Sequence, residues 1–134
     1  MYSTLGFLLI AQGDQTGDYQ KALDFNRKAY DYDDTDASIV DNLGQVLYRT
    51  EEIKEAENMF EKALSIKPTQ FDTLYFLSRI RISQDRVEEA KKMLDTALDK
   101  TYSVFNTVPR ENAIELAHSI GMDLSVYDDI PAEN

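Results

Sequence analysis

One spacing governs this sequence. Ala22, Ala56 and Ala90 are evenly spaced, and Ala29, Ala63 and Ala97 repeat the same interval. Leu43 and Leu77 keep it too, as do the small residues Gly44 and Ser78. Columns that recur at a fixed period of about 34 residues predict stacked copies of one supersecondary unit, because one unit cannot bury its apolar face alone. The period divides the chain into copies at about 1–36, 37–70 and 71–104. In the first copy, the interval from Leu5-Gly6 to Leu43-Gly44 is longer than this period. The extra residues fall within Gln12–Gly17, where the run GDQTGD predicts a lengthened turn. Surface loops accept such insertions at little cost in closure entropy.

Each copy reads as two helices. In the middle copy Val40, Leu43, Val46 and Leu47 recur at helical spacing, followed by Ile53, Ala56, Phe60, Ala63 and Leu64. Start signals stand at the breaks. Thr69 with Asp72, and Asp85 with Glu88, have the spacing of capping boxes. Asp18 and Asp36 are expected N-caps. Pro68 marks a junction, because the residue before a proline avoids the helical region. Small residues are required where two helices cross closely, so Gly44 is expected against Ala56, and Ser78 against Ala90. Tyr30 shares a column with Leu64 and Leu98 and is expected in the core.

At these positions the chain resembles the tetratricopeptide repeat family. The middle copy carries its signature in Leu43-Gly44, Leu47, Ala56, Phe60, Ala63 and Pro68. The third copy keeps Leu77, Ala90, Leu94 and Ala97. It departs at Ser78, at Arg81 where a large apolar residue is usual, and at Tyr102 where proline is usual. The first copy keeps Leu5, Gly6, Leu9, Ala22 and Ala29. The resemblance implies an all-α fold, a right-handed α-α superhelix or solenoid of three antiparallel helix pairs plus a C-terminal capping helix. That capping helix is expected at about 108–120, with Pro109 in its first turn and Gly121 as its stop. It would cover the last pair's apolar face. A single domain over 1–121 and a tail over 122–134 follow.

The first helix opens with Tyr2, Leu5, Phe7, Leu8 and Ile10 and no capping segment. That is expected either of a piece of a longer chain or of an end that pairs with a partner or a second copy. Self-association through this helix, or a tethering role in a longer, membrane-anchored protein, is therefore the alternative reading. The longest apolar run, Leu5–Ala11, contains Gly6 and falls far short of the roughly 20 residues that span a bilayer. No membrane insertion by this segment is expected.

The chemistry of catalysis is sparse. The chain has no cysteine, which excludes disulfides and thiolate chemistry and fits a cytoplasmic location. Its one histidine, His118, falls on the closing helix, where a surface or packing role is expected over that of a base or ligand. Asp31, Asp33, Asp34 and Asp36 have the look of a calcium loop, but its sixth and twelfth positions hold Asp36 and Asn42 instead of Gly and Glu. They are expected to end one helix and cap the next. No phosphate loop or hydrolase motif is present. The chain is expected to be no enzyme and to need no cofactor or metal. A net charge of −11 disfavours nucleic acid as a partner.

In the family, the first helix of each pair lines a concave face that holds an extended peptide or a partner's helix. The corresponding groove here would include Ser3, Phe7, Ile10, Asp41, Asn42 and Gln45. It would continue through Tyr48, Arg49, Asp72, Tyr75, Phe76, Arg79 and Ile82. The family's clamp for a terminal carboxylate uses Lys, Asn and Arg. This chain offers Ser3, Phe7, Asn42, Asp72 and Phe76 at those places, and only Asn42 agrees. The resemblance thus implies a protein-interaction scaffold without that clamp. Its candidate contacts are Phe7, Asn42, Gln45, Tyr48, Arg49, Tyr75, Phe76 and Arg79, because Tyr, Phe and Arg tend to anchor interfaces.

Overall fold

The computed structural model describes residues 2–99, 106–127 and 130. Among these are seven helices and no strand. The first pair is α1 (Tyr2–Thr16) and α2 (Gln20–Tyr32), and the second is α3 (Ala37–Arg49) and α4 (Ile53–Ile66). The third is α5 (Phe71–Ser83) and α6 (Val87–Leu98), followed by α7 (Arg110–Ser119). Helices pack within each pair, and successive pairs stack as a solenoid. The alanine columns are the reason the helices approach closely. Each of the six alanines is at most 2% exposed. At the far end α7 lies on α6 with Ala113 and Ala117 buried. The third copy's expected last residues, 100–104, lie outside the described residues, as does Tyr102.

The expected long turn in the first copy is absent. Residues 12–16 are helical, and each pair is joined by the same three-residue connection. The inserted residues lengthen α1 by about one turn, since a turn takes about 3.6 residues. Two contacts hold this extra turn in place. Gly13 lies so close to Tyr19 that an added Cβ would stand 2.4 Å from the ring. Asp14 accepts a 2.6 Å hydrogen bond from the Tyr19 hydroxyl. The connections also share a left-handed residue, Gly17 at φ 78°, Glu51 at 67° and Asp85 at 59°. Each of these follows the one before by a full period, so the elbow keeps the repeat although α1 does not. After α3 the Glu52 N–H donates to Leu47 and the Glu51 N–H to Tyr48, a Schellman closure that Arg86 and Asp85 repeat after α5.

Of the expected caps, Asp36 holds: its carboxylate accepts from the Ser38 and Ile39 amides. Asp18 accepts from the Gln20 amide but stands one residue before the N-cap of α2, which is Tyr19 and makes no side-chain cap. Thr69–Asp72 does not cap α5, because Asp72 is spent elsewhere, and Gln70 precedes the helix without a side-chain cap. Asp85 cannot cap α6 either, because it occupies the left-handed elbow. Gly44 faces Phe60: an added Cβ would lie 2.7 Å from the ring. Tyr30 is half-buried under Lys62, whose Nζ donates to its hydroxyl at 2.8 Å.

Where the third copy departs from the apolar pattern, the fold substitutes charge. Arg81 is buried. It pairs with Glu57 at 2.5 Å and Glu61 at 3.2 Å. Its Nε lies 3.3 Å from Glu89 without making a hydrogen bond. Glu57 is also buried and accepts from Gln84 at 2.7 Å. The Gln84 amide, with Lys54 and Arg81 behind it, holds the Glu57 carboxyl below its usual range.

Candidate binding site

The first helices of the three pairs border one cleft of about 520 Å³. Ser3 and Phe7 of α1, Asp41 and Asn42 of α3, and Asp72 of α5 line it. Lys67 and Gln70 close one side, and Asn106 and Thr107, from the stretch before α7, close another. Four of the five positions that hold the family's carboxylate clamp therefore meet here, carrying Ser3, Phe7, Asn42 and Asp72. The fifth, Phe76, is turned into the core and stacks on Phe60 with ring centroids 5.6 Å apart. Asn42 gives its amide to the Ser3 carbonyl at 2.7 Å, tying the first pair to the second.

The other expected contacts separate into two groups. Gln45 is 1% exposed and donates to Asp41 at 2.7 Å, so it supports the cleft from beneath. Ile10 is fully buried in the core and leaves the groove altogether. The rest form an aromatic stack. Tyr48 and Tyr75 flank Phe76 at 5.5 and 5.3 Å. The Arg79 guanidinium lies 5.9 Å from the Tyr48 ring and 5.8 Å from Tyr75, and donates to the Tyr75 hydroxyl. Arg49 lies over Phe76 at 5.7 Å and grips Asp14 at 2.7 Å. Tyr75 and Phe76 are both 7% exposed, whereas Arg79 is exposed. Arg79 makes no ion pair with a carboxylate among the described residues. Phe7, Tyr48, Arg49 and Arg79 are thus the expected contacts that offer side-chain surface. Lys67, Gln70, Asn106 and Thr107 were not expected in the site, because they stand between helices where the period assigns no face.

The cleft floor is acidic and already engaged. Asp41 accepts from Thr73 and Gln45, both at 2.7 Å. Asp72 accepts from the Thr107 amide at 2.9 Å, the Thr107 hydroxyl at 2.6 Å and the Val108 amide at 3.0 Å. Burial pushes the Asp41 carboxyl up to about 7, with the Asp72 charge adding to the rise and the Thr73 and Gln45 hydrogen bonds opposing it. In the unfolded chain an aspartate titrates near 3.9, about its ordinary value. The folded chain therefore keeps a proton that the unfolded chain releases, and this residue costs stability as pH rises from about 4 to about 7. Relative to the native chain, Asp41→Asn is expected to gain stability across that window and level off above it. Urea unfolding at stepped pH checks this, and a difference independent of pH would contradict it.

The remaining acidic loop is engaged in structure. Asp33 binds Thr35, Asp34 pairs with Lys62 and Asp36 caps α3. At the opposite end of the solenoid, Tyr2, Leu5, Leu8 and Tyr32 are exposed, with the Tyr2 and Tyr32 rings 5.0 Å apart. Leu5 is 44% exposed while its column mate Leu43 is 3% exposed, because α3 has α1 and α2 stacked on it. Among the described residues no helix is long and apolar enough to cross a membrane. Residues 47–103 match the family model described as Tetratricopeptide repeat. No curated protein matches the chain.

Proposed function

We propose that this chain is a tetratricopeptide repeat protein that holds an extended peptide on its concave face, since residues 47–103 match that family model and such repeats are generally protein-interaction modules, typically non-catalytic. The observation that carries this reading is the cleft shared by α1, α3 and α5, with the exposed Arg79 about two turns beyond Asp72 on α5 and set between two tyrosines. Arg79 is pre-positioned by Tyr48 and Tyr75, so it loses little freedom on meeting a partner. Phe7 offers an apolar contact at the other end. A partner lying along the three first helices would touch both.

The test begins with peptides selected from a displayed random library against the native chain. Phe7→Ala with Arg79→Ala is expected to weaken the selected peptides by about tenfold or more, as loss of anchoring side chains does. Fluorescence anisotropy measures the affinity, and thermal unfolding verifies the fold. Unchanged affinity in a folded variant would overturn the concave-face assignment.

A further inference from the structure

We infer that Asn106–Val108 is a built-in ligand of the cleft, a tethered copy of the kind of segment that a partner must supply to occupy it. The inference rests on the concave-face reading and deepens it. The stretch before α7 lies against α5 and α3 as a bound peptide would, and its contacts are of two kinds. Two successive main-chain amides and one hydroxyl converge on the Asp72 carboxylate, at 2.9, 3.0 and 2.6 Å. Thr107 also meets the Gln45 amide at 3.5 Å, and the Val108 side chain is 6% exposed in the apolar cluster. Asp72 stands in the first turn of α5 yet caps no amide of that helix. Its charge is spent on the strap. Hydrogen bonds to an ionised acceptor are about twice as strong as neutral ones.

Two features mark the strap as an occupant more than a wall. Asn106 and Thr107 are half-exposed and border the open cleft directly. The Asn106 Nδ2 is buried without a hydrogen-bond partner, so the strap fits its seat imperfectly at that end. The cleft therefore takes an extended segment with a small hydroxylated residue followed by a β-branched apolar one, entering with its amides toward Asp72. A partner of this kind competes with the strap.

The test uses isotope-labelled full-length chain and the peptide Asn-Thr-Val-Pro-Arg, acetylated and amidated, followed by NMR. Thr107→Pro removes one amide and the hydroxyl from the tethered copy. The peptide is expected to shift the Gln45, Asp72 and Thr73 signals of this variant saturably. It should bind the native chain at least about tenfold more weakly, since a tethered competitor acts at millimolar effective concentration. Adding Asp72→Asn to the variant is expected to weaken the peptide again by about tenfold. Saturable binding absent from folded Thr107→Pro, or equal in the native chain, would overturn the inference. Should Thr107→Pro fail to fold, hydrogen exchange in the native chain decides. Thr107 and Val108 amides that open well below the global unfolding energy support a displaceable strap, and exchange only through global unfolding refutes it. Library peptides that lose affinity in the Phe7 and Arg79 variant, while Asn-Thr-Val-Pro-Arg does not bind, would leave the concave-face function standing and remove the built-in ligand.

Discussion

Arg81→Ala is expected to cost the fold about 3–5 kcal/mol, whereas Arg81→Leu combined with Glu57→Leu is expected to cost little or to stabilise. The reason lies in the register of the repeats. Arg81 stands one full period after Leu47, and Glu57 one full period after Leu23. One junction between pairs thus uses leucines where the next uses an ion pair, at the same places in the stack. Arg81 and Glu57 are only 6% and 4% exposed, so removing one leaves the other charged and buried. Gln84 and Lys54 compensate Glu57 in part, at 2.7 and 3.2 Å. Replacing both charges restores the apolar arrangement already present one junction earlier. Chemical denaturation of the three proteins checks the result. A double variant as unstable as the single one would show that the ion pair itself holds the junction.

Phe60→Ala is expected to lose about 3–5 kcal/mol, the range for truncating a buried aromatic residue. The ring is fully buried, stacked on Phe76, and pressed against Gly44 so closely that no side chain fits between them. Gly44→Ala would gain up to about 1 kcal/mol in helix propensity. Its methyl would nevertheless meet the ring at 2.7 Å, and overpacking of that kind costs about 1–3 kcal/mol. The two changes are therefore expected to be non-additive, with Gly44→Ala harmless or favourable once Phe60 is alanine. Urea unfolding of both single variants and the double variant measures the coupling. Additive losses would mean that the glycine is needed for some reason other than the ring.

The repeat columns made most of this fold legible, because a small residue at a helix crossing is demanded anew by every pair. The first copy shows where such reading fails. Gln12–Thr16 has the composition of a turn, yet Gly13 and Asp14 are made helical by Tyr19 and Arg49, residues outside the segment. The same limit applies to the site. Phe7 and Asn42 line the cleft at places on the concave face that the family resemblance implied. Phe76 shares that face but is drawn inward by Phe60, a contact that no single helix encodes. Lys67 and Thr107 border the cleft from connecting stretches, where neither period nor amphipathicity points to a direction.

The left-handed residues at 17, 51 and 85 bear on how such a chain can change length. Each acts as punctuation. Residues added ahead of Gly17 were absorbed as another turn of helix, and the downstream pairs kept their frame. An array built this way can lengthen one rib without shifting its neighbours, so that growth in α1 gives the next pair a new handhold, Asp14 on Arg49.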